Sequence, residues 1–224
     1  KGGPLIAVQV ENEYGSYGSD TAYLGHLNDG LKARGIDVLP FTSDGPTSWM
    51  LTGGTLPESA GVLPTVNFGS KAIEAFECLD GFTPHRRIPH TCMEFWNGWF
   101  DHWGEEHHTR GADDAAQALD EILAAGGSVN FYMFSGGTNF GFVSGSNFAA
   151  AIQPTITSYD YDAALGETGE PSDKFHAFRS IIAKYESIPN EALPEAAPRA
   201  AYGSVELTES AALLENLVAA SQDM

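Results

Sequence analysis

Glu13 and Glu94 are the residues of this chain best placed to do chemistry. Glu13 follows the apolar run Leu5-Ile6-Ala7-Val8-Gln9-Val10 and sits in Glu11-Asn12-Glu13-Tyr14-Gly15-Ser16-Tyr17. Glu94 closes Pro89-His90-Thr91-Cys92-Met93 and is followed by Phe95-Trp96-Asn97-Gly98-Trp99. Both are bracketed by aromatic residues and glycine. A single glutamate at the end of a strand is ordinarily solvated or ion-paired. Two with the same surroundings suit glycosidic cleavage, in which one carboxylic acid protonates the departing oxygen and the other carboxylate attacks the anomeric carbon. Aromatic rings are good floors for the flat apolar faces of sugars.

Other candidate clusters carry weaker signals. His102, His107 and His108, with Glu105 and Glu106, have the composition of a metal site. Trp103-Gly104 interrupts them and no His-x-x-x-His spacing is present, so the stretch reads as a polar loop, with no metal expected. Asp160 and Asp162 flank Tyr161 and either order their loop or touch a substrate. Trp49 reads as packing rather than as a sugar platform, and His85-Arg86-Arg87 as a solvated loop. Cys78 and Cys92 fit no disulfide or zinc pattern and read as buried free thiols.

The elements that must position the glutamates alternate strand and helix. Strands are expected at 5–10, 37–41, 65–68, 89–95 and 128–134, and helices from Ser19 or Asp20 to Gly35, over 70–79, 112–125 and 172–185. Five such βα units imply a parallel sheet. A doubly wound nucleotide binder would carry a phosphate turn after a strand. Gly136-Gly137-Thr138-Asn139-Phe140-Gly141 lacks the closing Gly-Lys-Ser/Thr and opens no helix. Several strands instead finish in carboxylates, amides and aromatics, as barrel strands do at the catalytic face. The fold class expected is therefore α/β, the C-terminal portion of a (β/α)8 TIM barrel. A barrel needs eight strands, so about three units are expected before Lys1. The domain reading is a partial barrel over 1–187, a Pro/Ala/Glu-rich linker over 188–199, and the beginning of a further, β-rich domain over 200–224. Its first strand is expected at 201–207.

Composition narrows the partners. The chain has 224 residues, 30 acidic against 11 basic, for a formal charge of −19. That field repels phosphate backbones and argues against nucleic acid. No apolar run approaches the roughly 20 residues that span a bilayer, so no membrane partner is expected. No Asn-x-Ser/Thr acceptor and no leader sequence is visible.

Four segments, in order, resemble the family-35 glycoside hydrolases, the β-galactosidases: 2–17, 94–104, 131–141 and 157–163. The resemblance implies a retaining hydrolase of terminal non-reducing β-galactosyl residues that needs no cofactor. It implies that the five strands are the fourth to the eighth of the barrel. Glu13, rather than Glu11, matches the acid/base and Glu94 the nucleophile. Asn12, Tyr132 and Tyr161 match substrate-contacting residues, and Asp101 and Trp103 fall beside the nucleophile. Trp96 stands where some relatives carry Tyr, which keeps stacking and loses a phenol hydrogen bond. A related β-glycosidase such as an exo-β-glucosaminidase, or a non-catalytic carbohydrate-binding remnant, are the alternatives. Because the missing N-terminal barrel segment would be required for a whole pocket, the isolated chain is expected to turn over little substrate.

Overall fold

The computed structural model describes residues 3–141, 143–212 and 214. The chain divides into two compact units, Lys1–Leu193 and Pro194–Met224.

In the first unit the β-branched and aromatic runs become β1 (Ala7–Gln9), β2 (Leu39–Asp44), β3 (Leu63–Phe68), β4 (Thr91–Trp96) and β5 (Ser128–Tyr132). They form one sheet in the order β1-β2-β3-β4-β5, and every pair is parallel. The helices between and after them are α1 (Thr21–Ala33), α2 (Ser48–Gly54), α3 (Ala72–Phe82), α4 (Ala112–Ala124) and α5 (Asp173–Ile182). A doubly wound sheet reverses its strand order at a switch point. Here each strand lies beside its predecessor with no reversal, the winding of a barrel wall. The sheet is part of a barrel.

Local chemistry sets the helix ends. The Asp20 carboxylate accepts from the backbone N–H groups of Ala22 and Tyr23 and opens α1. Ser172 does the same for α5 through Phe175. Along α4, Ala115, Leu119 and Ile122 recur at helical spacing and are fully buried. They cluster with Phe76 and Leu79 of α3, Phe178 of α5, and Val66, Cys92 and Phe95 of the sheet. Truncating Leu119 to alanine there should cost about 2–5 kcal/mol.

β4 is irregular where it matters. Its register with β3 shifts between Val66↔Cys92 and Asn67↔Glu94, and with β5 between Cys92↔Val129 and Phe95↔Phe131. Both shifts insert one extra residue on β4, a bulge. In a regular strand Cys92 and Glu94 would share a face. With the bulge, Cys92 and Phe95 share the apolar core and Glu94 is released from it.

Several boundaries differ from the sequence expectation. β2 runs on past Phe41 to Asp44, because Thr42, Ser43 and Asp44 are buried polar residues that the hydropathy pattern excluded. β5 stops at Tyr132, and α3 is displaced to 72–82 behind Lys71, whose φ is 60°. Trp49 lies on α2, a helix not foreseen, and is exposed rather than packed. Cys92 is buried but Cys78 only partly so. Residues 133–171 form a long excursion with two small antiparallel pairs, β6 (Gly137–Thr138) with β9 (Ser158–Tyr159) and β7 (Ser146–Phe148) with β8 (Ile152–Pro154).

In the second unit the strand expected at 201–207 is not formed. Tyr202, Val205 and Leu207 are exposed, and no described residue offers them a ladder partner, without which a strand has no hydrogen bonds. The end of the 200–224 stretch lies outside the described residues. Among the described residues, no helix is long and apolar enough to cross a membrane.

Candidate active site

Glu13 is carried past the end of β1 by a backbone turn. Its φ of 48° and ψ of 36° are left-handed, and it opens a short 3-10 turn at Tyr14–Ser16. The turn is tied down on both sides. The Glu13 N–H donates to the Ser43 carbonyl at 3.1 Å, and the Gly15 N–H donates to Asp44 Oδ1 at 2.8 Å. Asp44 sits in a glycine cradle: a Cβ on Gly54 would come within 1.9 Å of its Oδ1. Burial pushes its carboxyl up to about 6, the Gly15 N–H opposes, and the charges of Glu13 and Glu11 add to the rise.

Asn67, fully buried near the end of β3, stands between Glu13 and the strand of Glu94. Its Nδ2 donates to Glu13 Oε1 at 2.9 Å, its Oδ1 accepts from the Ser43 hydroxyl, and its backbone is in register with Glu94. Glu94 Oε2 accepts from Trp96 Nε1 at 3.1 Å. Burial raises the Glu94 pKa, the Trp96 N–H opposes that, and the Glu13 charge adds to it. The indole therefore keeps a hydrogen bond at the position where a phenol was expected to be missed.

A wall of rings faces Glu94. Tyr161, only 2% exposed, stacks on Tyr159 at 5.7 Å and meets Tyr132 edge-on at 5.4 Å. Tyr132 and Tyr159 share a hydrogen bond of 2.9 Å between their hydroxyls. Burial, first of all, raises the pKa of Tyr159 and of Tyr161, and the Glu94 charge adds to both. The Tyr161 hydroxyl is buried and has no hydrogen-bond partner among the described residues.

The ring-bearing loop is fastened from below. Lys174 of α5, almost fully buried, donates to the carbonyls of Asn97 at 2.8 Å and Asp162 at 2.6 Å and pairs with Asp162 Oδ2 at 2.5 Å. Arg110 Nη1 donates to the carbonyls of Gly69 and Trp96, and the Arg110 N–H donates to Asp162 Oδ2. Tyr161 and Asp162 both have positive φ. Gly98 is obligatory here, since a Cβ would lie 1.7 Å from the Tyr161 carbonyl oxygen.

Thus Glu13, Glu94, Trp96, Tyr132 and Tyr161 share one rim. Asn12, which precedes Glu13, is exposed; its N–H donates to Glu11 and its side chain accepts from Gln9. His107 and His108 both donate to Asp101, at 2.6 and 2.8 Å, and His107 Nε2 lies 3.4 Å from Asp160. His102 pairs with Glu105 instead. Among the described residues no group of three or more His, Cys, Asp or Glu is placed to hold a metal ion.

The profile of the family described as glycosyl hydrolases family 35 matches residues 1–185. The chain belongs to this family. A protein named beta-galactosidase from Xanthomonas manihotis is 45% identical over 222 residues, 96% of this chain and 36% of that protein. The human protein of the same name is 44% identical over 212 residues, 92% of this chain and 30% of that one. A mouse beta-galactosidase-1-like protein is 40% identical over 220 residues, covering 96% and 33%. The chain spans about a third of the length of these curated relatives.

Sequence reading missed several residues of this family-35 rim. Asp44 and Asn67 stand at or next to the carboxyl ends of β2 and β3, so polarity near a strand end was the signal available. Arg110, Lys174 and Tyr159 gave no such signal, because they lie outside the five strands and their roles rest on contacts with other loops.

Proposed function

We propose that this chain carries the catalytic pair of a retaining β-galactoside hydrolase, with Glu13 as acid/base and Glu94 as nucleophile. The observation that carries the proposal is the placing of both glutamates toward the carboxyl side of strands in one parallel sheet, with Asn67 hydrogen-bonded to Glu13 and in register with Glu94. In this reading β1 to β5 are the fourth to eighth strands of a (β/α)8 barrel, and residues 200–224 begin a further domain.

Glu94 attacks the anomeric carbon while Glu13 gives its proton to the departing oxygen. Glu13 then takes a proton from water, and the water displaces Glu94 with net retention. Such a pair works with its carboxyl groups about 5–5.5 Å apart. The Trp96 N–H occupies one Glu94 oxygen and leaves the other to attack. Burial alone would favour a protonated Glu94, so the assignment of roles rests on the match of the two segments to the family. Tyr132, Tyr161, Trp96 and Asn12 are assigned to the sugar, and the Tyr161 hydroxyl, buried with no hydrogen-bond partner among the described residues, supports that assignment. The relatives named beta-galactosidase support a β-galactoside as substrate, and the mechanism calls for no cofactor.

The test uses a 2-deoxy-2-fluoro-β-galactoside with a dinitrophenyl leaving group, followed by peptide mapping. It is run on the 224-residue chain and on a longer chain that supplies the upstream barrel strands this reading requires. The longer chain is expected to gain one fluorogalactosyl group on Glu94, and the shorter one little. No adduct in the longer chain, or an adduct on another residue, would falsify the proposal.

A further inference from the structure

Just past Glu13 lies a groove that the two glutamates do not use. Ser16 and Tyr17 line it from the turn after β1, and Ser48, Trp49 and Thr52 line it from α2. Both segments follow the carboxyl ends of their strands, so the groove belongs to the same rim as Glu13. Tyr17 is 83% and Trp49 59% exposed. Single exposed aromatics are common on surfaces. These two stand on adjoining segments around one depression, with hydroxyl groups between them.

The floor is glycine and is rigid. A Cβ on Gly53 would come within 2.6 Å of the Gly18 carbonyl oxygen, and one on Gly15 within 1.8 Å of the Met50 carbonyl oxygen. The turn and the helix therefore meet backbone to backbone, which holds the anchors of the two rings in place. Among the described residues no Asp, Glu, Lys, Arg or His lines the groove, in a chain with 30 acidic residues. Neutral walls, aromatic platforms and hydroxyls suit an uncharged, many-hydroxyl ligand; a charged one would meet no counter-ion.

We propose that this groove binds the leaving-group side of a neutral β-linked oligosaccharide, with sugar rings stacked on Tyr17 and Trp49. The placing rests on the role proposed for Glu13, since the group that protonates the departing oxygen faces the departing sugar. The groove begins only two residues further along the chain.

Calorimetric titration of the 224-residue chain with a sulfur-linked β-1,4-galactotetraose, which resists cleavage, and with free galactose tests this without turnover. The tetraose is expected to bind at least about tenfold more tightly than galactose. Trp49→Ala and Tyr17→Ala should each weaken tetraose binding by roughly tenfold, leave any galactose binding unchanged and, being at exposed positions, leave the melting temperature unchanged. Trp49→Phe, which keeps a ring, should restore most of the affinity. Tetraose affinity equal to that of galactose, or unchanged in the Tyr17→Ala/Trp49→Ala double variant, overturns the proposal. Failure of the covalent trap on Glu94 with this binding intact would count against the catalytic roles and leave the groove as a saccharide site.

Discussion

Glu13 and Glu94 have similar aromatic and glycine neighbours in sequence, yet the backbone delivers them by different means. Glu13 lies beyond the end of β1, in a left-handed conformation that its turn must enforce. Glu94 lies inside a central strand and is freed from the apolar face by a bulge. The first is held by others: Asn67 grips its carboxylate and Asp44 grips the turn. The second is held by its own strand, through Trp96 two residues on. A side chain beyond the end of its strand has no ladder of its own, so it needs support from neighbouring segments. A central strand is braced on both sides, and one inserted residue is enough to redirect a side chain. On this comparison, damage to Asp44 or Asn67 should strike Glu13, whereas damage to Trp96 should strike Glu94.

The largest effects concern the glutamates themselves. In a longer, active chain, Glu94→Gln should reduce turnover to background with every leaving group and abolish the fluorogalactosyl adduct. Glu13→Gln should lower turnover of a poor leaving group by about 10²–10⁴-fold. It should lower turnover of a dinitrophenyl galactoside far less, because that leaving group departs without a proton. Equal losses for both leaving groups in Glu13→Gln would remove its role as the acid.

Asp44 comes next. Its carboxyl is raised by burial to about 6 in the folded chain, so the folded state binds more protons than the unfolded state between about pH 4 and 6. Stability from this residue is therefore full at low pH and falls as pH rises through that window. Asp44→Asn keeps an acceptor for the Gly15 N–H and removes the ionisation. It should stabilise the chain by up to about 3 kcal/mol at pH 7.5 and by close to nothing at pH 4. Urea melts at the two pH values check this, and a gain independent of pH would contradict it.

Asn67→Leu keeps volume but strips the donor from Glu13 and leaves the Ser43 hydroxyl unpaired. A loss of about 2 kcal/mol is expected in the same melts, along with a fall in the rate of fluorosugar trapping. Trp96→Phe should be the mildest, costing about 1 kcal/mol. Since the indole N–H holds the Glu94 pKa down, its loss should also move the Glu94 limb of the pH–rate profile upward. A Trp96→Phe profile that does not move would show that Glu94 does not depend on its strand neighbour.

Much of this was legible in the chain itself. The alternation of β-branched runs with amphipathic segments foretold five βα units, and the cap residues Asp20 and Ser172 marked two helix starts within a residue. Strand ends were less legible. The pattern sought apolar residues and so stopped β2 at Phe41, before the buried Thr42, Ser43 and Asp44, the last two of which hold the Glu13 turn. The helix α2 escaped because Ser48-Trp49-Met50-Leu51-Thr52-Gly53-Gly54 is short, glycine-rich and without clear periodicity. The expectation at 201–207 failed in the opposite sense. Alternating polarity states that a segment suits a strand, but a strand exists only when a second one offers its hydrogen bonds.

The sequence by itself determined which residue types stand at the strand ends, that two carboxylates stand among aromatic rings, and the family to which the chain is similar. Those are properties of neighbours along the chain. Tertiary structure alone decided that Asn67 would reach Glu13, that a bulge would release Glu94 from the core, and that Lys174 and Arg110 would hold the Tyr161 loop against both. Each of those depends on the register between strands and on contacts across many tens of residues. No local pattern encodes them, because a shift of one residue in pairing turns every side chain to the opposite face.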